Sequence, residues 1–150
     1  MRIQIENRQR KQKIEKRLLR KVAQRILNAL GCPKGELSVV IVDDAGIRAL
    51  NRDYLGKDRP TNVISFAMQE GEGAGVAPQL LGDVVISAET AARDAAEAGQ
   101  PFVSELYFLL LHGILHLRGY DHERGTAAQA LEMEQAEQDI FCAIRREFLA

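Results

Sequence analysis

Residues 106–117, LYFLLLHGILHL, are apolar on nearly every side of a helix, and such a helix must be enclosed by the rest of the fold. At 150 residues the chain is large enough for one domain to do so without disulfides. The other elements are read around this helix. Residues 2–6 alternate as a half-buried strand, and from about Arg8 to Leu30 the pattern is helical, with Ile14, Leu18, Val22, Ile26 and Leu30 in one stripe widened by Leu19 and Leu27. Gly31 and Pro33 end that helix. Leu37–Val42 reads as a buried strand, and Asp44 as the cap of a helix from Ala45 to about Leu55. Strands at Asn62–Ala67 and Leu81–Ser87 flank a glycine-rich loop over 69–79. Ser87 caps a helix to Gly99, Pro101 opens the apolar helix, and Thr126 with Gln129 forms a capping box for a last helix to about Phe148. Leu131, Ile140, Ile144 and Phe148 are its expected core contacts. The expected architecture is α/β (α+β): a single domain over 1–150, with a four-stranded mixed sheet packed with helices around the buried central helix.

All three histidines of the chain lie in one eleven-residue window, H112-GIL-H116-LRGYD-H122. Positions i and i+4 on a helix share a face, so His112 and His116 can offer two imidazoles to one ion. A third ligand requires the chain to leave the helix and turn back, which Gly119 permits before His122. Three neutral imidazoles leave a fourth position for water, the layout of catalytic zinc. The plainer alternative is three ordinary surface histidines, but two of these sit in the most apolar helix, where unpartnered imidazoles are costly to bury. The window matches the peptidase pattern H-E-x-x-H-x-x-G-x-x-H except at Gly113, which stands where a general-base glutamate would be. A zincin-like metallopeptidase without its glutamate is therefore an alternative reading. Another is a non-catalytic assembly factor whose metal only braces the turn.

Composition narrows the partners. Net charge is −1, yet residues 1–25 hold ten Lys/Arg against only Glu6 and Glu15. Such a basic segment, with Lys13, Arg17 and Arg20 on it, can track RNA phosphates or be a solvated outer face. Aromatics are 5% and tryptophan is missing, which disfavours a broad stacking platform for bases. Cys32 and Cys142 form no CxxC pair, so free thiols in a reduced cytoplasm are expected. No apolar run suggests a signal peptide or a membrane span.

The window HGILHLRGYDH, with upstream LNRDYLGKDRPTNVISF and LLGDVVIS, resembles the YbeY family of bacterial metal-dependent endoribonucleases over roughly residues 39–133. The resemblance implies a zinc-dependent, single-strand-selective ribonuclease. It also implies work on small-subunit ribosomal RNA, in ribosome maturation and quality control, beside the ribosome and its assembly factors in the cytoplasm. His112, His116 and His122 take the family's metal-ligand positions. Asn51, Tyr54, Gly56, Lys57, Asp58, Pro60, Thr61, Ser65 and Phe66 fit the upstream block. Leu55 stands where the family usually has an arginine important for RNA cleavage, and Ala67 replaces its proline. Lys57 and Arg59 are the candidate cations for phosphate and transition-state charge, with solvated loop charge as the plain alternative. Asp121 can orient a ligand or cap the turn, Tyr120 can meet a substrate oxygen, and Glu105 lies one stretch before His112 on the same face.

Overall fold

The computed structural model describes residues 2–68, 79–119 and 126–149. Along them run β1 (Ile3–Asn7), α1 (Lys16–Ala29), β2 (Glu36–Val42), α2 (Asp44–Leu55), β3 (Val63–Ala67), β4 (Leu80–Ser87), α3 (Ala88–Ala98), α4 (Phe102–Leu117) and α5 (Ala127–Ile144), which continues as a π-helical turn to Leu149. The four strands form one mixed sheet in the order β1-β2-β4-β3. Strands β1, β2 and β4 are parallel, and β3 lies antiparallel on the β4 edge.

Strand alternation splits the apolar residues between two faces. Ile3, Val39, Ile41, Val84 and Ile86 face the main core, with buried residues of α1, α4 and α5. Val42, Ile64 and Val85 point the other way and pack with Ile47 of α2. Ten of the sixteen α4 residues are buried, so the all-round apolar sequence is enclosed as its pattern requires. Each fully buried leucine or isoleucine there contributes roughly 1.5–3 kcal/mol.

Three expectations are corrected. The first helix begins at Lys16 rather than Arg8. Gln9 supplies the reason: its amide nitrogen donates to Asn7 Oδ1 and to the Gln12 carbonyl, both at 2.8 Å, while its oxygen accepts from the Gln12 N–H at 2.9 Å. Those side-chain bonds replace a helical turn with a loop. The buried stripe then runs through Leu19, Val22, Ala23, Ile26 and Leu27, leaving Leu18 at the surface. The cap of α2 is Asp43, which accepts from the Gly46 N–H at 2.8 Å. Asp44 is instead the acceptor for Ser87 and Thr90 hydroxyls at 2.7 and 2.6 Å and for Arg93 at 2.7 Å. Leu131 is exposed, because the inward face of α5 follows Met133, Ile140 and Ile144 and 131 falls off that stripe. The remaining boundaries agree within a residue or two, the Ser87 cap and the Thr126–Gln129 capping box included. The glycine-rich loop falls almost wholly outside the described residues.

Candidate metal centre

Helix α4 comes unusually close to the sheet at Gly113. A Cβ there would stand 2.6 Å from Val84 Cγ1 and 3.2 Å from Ser65 Oγ. Ser65 uses that proximity, donating its hydroxyl to the Gly113 carbonyl at 2.8 Å. The position next to His112 therefore has no space for a glutamate, and the departure from the peptidase pattern has a packing cause.

The two histidines on α4 are brought together. Their Nε2 atoms are 3.1 Å apart and the ring centroids 4.7 Å apart. Behind His112, Nδ1 lies 2.7 Å from Glu137 Oε2 on α5. A carboxylate only accepts, so Nδ1 carries a proton, and in the neutral ring Nε2 is the lone-pair nitrogen that faces His116. Phe108 stacks beside the His112 ring at 6.4 Å and meets Phe141 edge-on at 5.3 Å, walling that side with apolar surface. Side-chain exposure is 25% for His112 and 16% for Glu137, so the bond is largely shielded from water.

This donor set fits a divalent cation. Two nitrogens bonded to zinc at about 2.0–2.1 Å in a tetrahedron are separated by about 3.3 Å, close to the spacing found. A carboxylate on the far nitrogen is the usual partner of a metal-bound imidazole. His122, Tyr120 and Asp121 lie outside the described residues, and no group of three metal-binding side chains occurs among the described ones. Gly119 has a φ of 92°, so the chain does leave α4 through a left-handed turn that a residue with a Cβ disfavours.

Glu137 was not singled out from the sequence. Its signal is an acidic residue on the inward stripe of α5, between buried Met133 and Ile140, where only a partnered charge is tolerable. Burial, with a smaller push from Asp94, raises the Glu105 carboxyl above the ordinary range.

The cationic loop follows α2, which packs on the sheet face opposite α4. Asn51 is buried; its amide donates to the Arg59 carbonyl at 2.9 Å and its own carbonyl accepts from the Lys57 N–H at 3.1 Å. The loop is thus held from within while its side chains stay exposed. Arg48 and Arg52 are neutralised by Asp58 and Asp53 at 2.8 and 3.0 Å. Lys57 and Arg59 have no acidic partner among the described residues. Leu55 is 51% exposed beside them. Lys13 in the loop before α1 and Lys16, Arg17 and Lys21 on it are exposed and unpaired among the described residues, whereas Arg20 donates to the Ile3 carbonyl and Arg25 pairs with Glu147. Cys32 and Cys142 are free thiols. No described helix is long and apolar enough to cross a membrane.

Fold and paired imidazoles together define a class: a single-domain α+β protein with a histidine centre on its enclosed helix. The chain belongs to the endoribonuclease YbeY family, whose family model matches residues 4–145. It is 67% identical over 147 residues to the Endoribonuclease YbeY of Syntrophotalea carbinolica, covering 98% of each chain. To that of Geobacter metallireducens it is 61% identical over 149 residues, 99% of each chain. In fold it is similar to the solution structure of TM1509 from Thermotoga maritima, with a TM-score of 0.62 at 22% identity over 97% of this chain and 93% of that one.

Proposed function

We propose that this protein is a zinc-dependent endoribonuclease that hydrolyses phosphodiester bonds in single-stranded RNA. The observation that carries the reading is the 3.1 Å convergence of His112 and His116 Nε2, with Glu137 fixing the His112 tautomer from behind. His112, His116 and His122 are the proposed ligands of one zinc ion. When bound, such an ion polarises a phosphoryl oxygen and acidifies water, the chemistry that phosphodiester hydrolysis needs. Lys57 and Arg59 are the proposed contacts to phosphate and to the charge that grows in the transition state. Among the described residues no acidic partner takes up their charge, which favours a role toward a substrate. The chain's kinship with proteins named endoribonucleases supports the substrate class.

The finer role follows the family resemblance: maturation of small-subunit ribosomal RNA and quality control in the cytoplasm, with the ribosome and its assembly factors as partners. A peptidase reading gains nothing from Gly113, which has no space for the glutamate base. Purified protein should cleave single-stranded RNA and leave casein intact. A chelator should stop cleavage while circular dichroism keeps the helical signal. Unfolding on chelation would favour a bracing metal, and casein cleavage without RNA cleavage would favour the peptidase.

A further inference from the structure

Strand β3 joins two parts of the molecule described separately so far. It is one of the two edge strands of the sheet and, among the described residues, pairs with β4 alone. Ser65 reaches the histidine helix through its bond to the Gly113 carbonyl. The next residue, Phe66, points to the opposite face, and its ring meets Tyr54 of α2 at 5.5 Å between centroids and 69° between planes. The edge of one strand thus separates the histidine centre from an aromatic pair by a single residue step.

Tyr54 is 69% exposed, more than any other large hydrophobic among the described residues. Isolated exposed aromatics are common and carry no meaning by themselves. This one differs in three respects. The edge-to-face contact with Phe66 occupies at most one face of the Tyr54 ring, and 69% exposure leaves much of the rest of it to solvent. Phe66 is half-buried and packs on Val42, Ile47, Ile64 and Val85, which holds the pair in place. Lys57 and Arg59, cations of this loop without acidic partners among the described residues, follow within five residues and are anchored by Asn51. An exposed ring beside such cations is the composition of a site for single-stranded nucleic acid: the ring takes a base and the cations take the flanking phosphates. A second concavity, lined by Arg2, Gln4, Glu36, Ser38 and Asp83 among others, offers two carboxylates and no ring, and suits a phosphate chain less.

We propose that Tyr54, backed by Phe66, is a stacking subsite for one unpaired base of an RNA strand whose adjacent phosphates contact Lys57 and Arg59. The proposal rests on the ribonuclease reading above and deepens it. Two rings do not make a broad platform, so the low aromatic content is no obstacle. A base already stacked on both sides within a duplex cannot offer its face to Tyr54. The subsite therefore favours unpaired over paired RNA by geometry rather than by sequence.

The test separates the base from the phosphates. Binding is read by fluorescence anisotropy in the presence of a chelator, so that cleavage does not intervene, with circular dichroism confirming the fold. The probes are a short oligoadenylate and a ribose-phosphate oligomer of the same length that lacks bases. Tyr54→Ala should weaken oligoadenylate binding roughly 5- to 100-fold, and Tyr54→Phe should retain it within about two-fold because the π-face is kept. Wild type and Tyr54→Ala should bind the baseless oligomer equally, whereas Lys57→Ala should weaken both probes. Equal binding of oligoadenylate by wild type and Tyr54→Ala would overturn the subsite, as would equal losses on both probes. Failure of the wild type to cleave RNA would instead strike the ribonuclease reading, and this binding comparison is read independently of it.

Discussion

His112 Nδ1 lies 2.7 Å from Glu137 Oε2, a bond that ties the histidine helix to the last helix across 25 residues of sequence. It orients one imidazole and sets its tautomer before any ligand arrives. Glu137→Ala should therefore weaken zinc binding about 10- to 100-fold, with Glu137→Gln intermediate, because an amide keeps an acceptor but loses the charge. Competition with a chromophoric chelator reads this. A variant that melts earlier yet binds zinc as tightly as wild type would reduce Glu137 to a packing residue.

Gly113→Ala isolates the close approach of α4 to the sheet. Alanine has the better helix propensity by about 1 kcal/mol. The added Cβ, however, meets Val84 Cγ1 at 2.6 Å, and Val84 is fully buried and β-branched, with little freedom to yield. Overpacking should win, for a net loss of about 1–3 kcal/mol in denaturant unfolding. Adding Val84→Ala should recover part of it.

Acid should loosen the junction of α2 and α3 first. Burial works to raise the Asp44 carboxyl, but hydrogen bonds from Thr90, Ser87 and Arg93 outweigh it and hold it below the ordinary 3.8. Glu89 is also held below its ordinary 4.5, chiefly by Lys11 and then by the Asp44 N–H. A depressed carboxyl stabilises the fold fully above its unfolded value. That advantage drains away as the pH falls through 3.8 toward the lower folded value, because the unfolded chain takes up the proton first. Asp44→Asn should lose about 1 kcal/mol at neutral pH and show a shallower loss of stability between about pH 5 and 3. Identical acid limbs for the two proteins would exclude Asp44 as a source of the pH dependence.

Leu55 is exposed beside Lys57 and Arg59, so a longer side chain there has space. Leu55→Arg should raise kcat for RNA cleavage up to about ten-fold if this loop meets the charge that grows in the reaction, with zinc content unchanged. Lys57→Ala should lower turnover, again with normal zinc. Unchanged turnover in both would retire this loop as part of the reaction.

The basic stretch from Lys13 through α1 should give RNA binding its own dependence on salt. Neutralising Lys13, Arg17 and Lys21 together should reduce the slope of log affinity against log salt by about 2 units for single-stranded RNA. No change would leave these residues as a solvated face.

Much of this arrangement is legible in the sequence because it depends on local pattern. The i, i+4 histidines, the Ser87 cap and the Thr126–Gln129 box each specify geometry within a single turn. What depends on distant partners is not legible. Glu137 acquires its role only when α5 packs on α4, and the position of β4 between β2 and β3 is a property of the whole sheet. Hydrophobic spacing does not register the buried Gln9, whose bonds to Asn7 and Gln12 hold a loop where the apolar stripe alone places the start of α1. The tyrosine of the upstream block was visible, but its exposure and its contact with Phe66 were not.

The central claim is that His112 and His116 hold one catalytic cation. Zinc stoichiometry by elemental analysis, paired with single-stranded RNA cleavage by the same samples, tests it most directly in wild type and His116→Ala. The wild type should carry one zinc per chain and cut RNA, and the variant should lose both while staying folded. A folded His116→Ala protein that retains its zinc and still cuts RNA would contradict it.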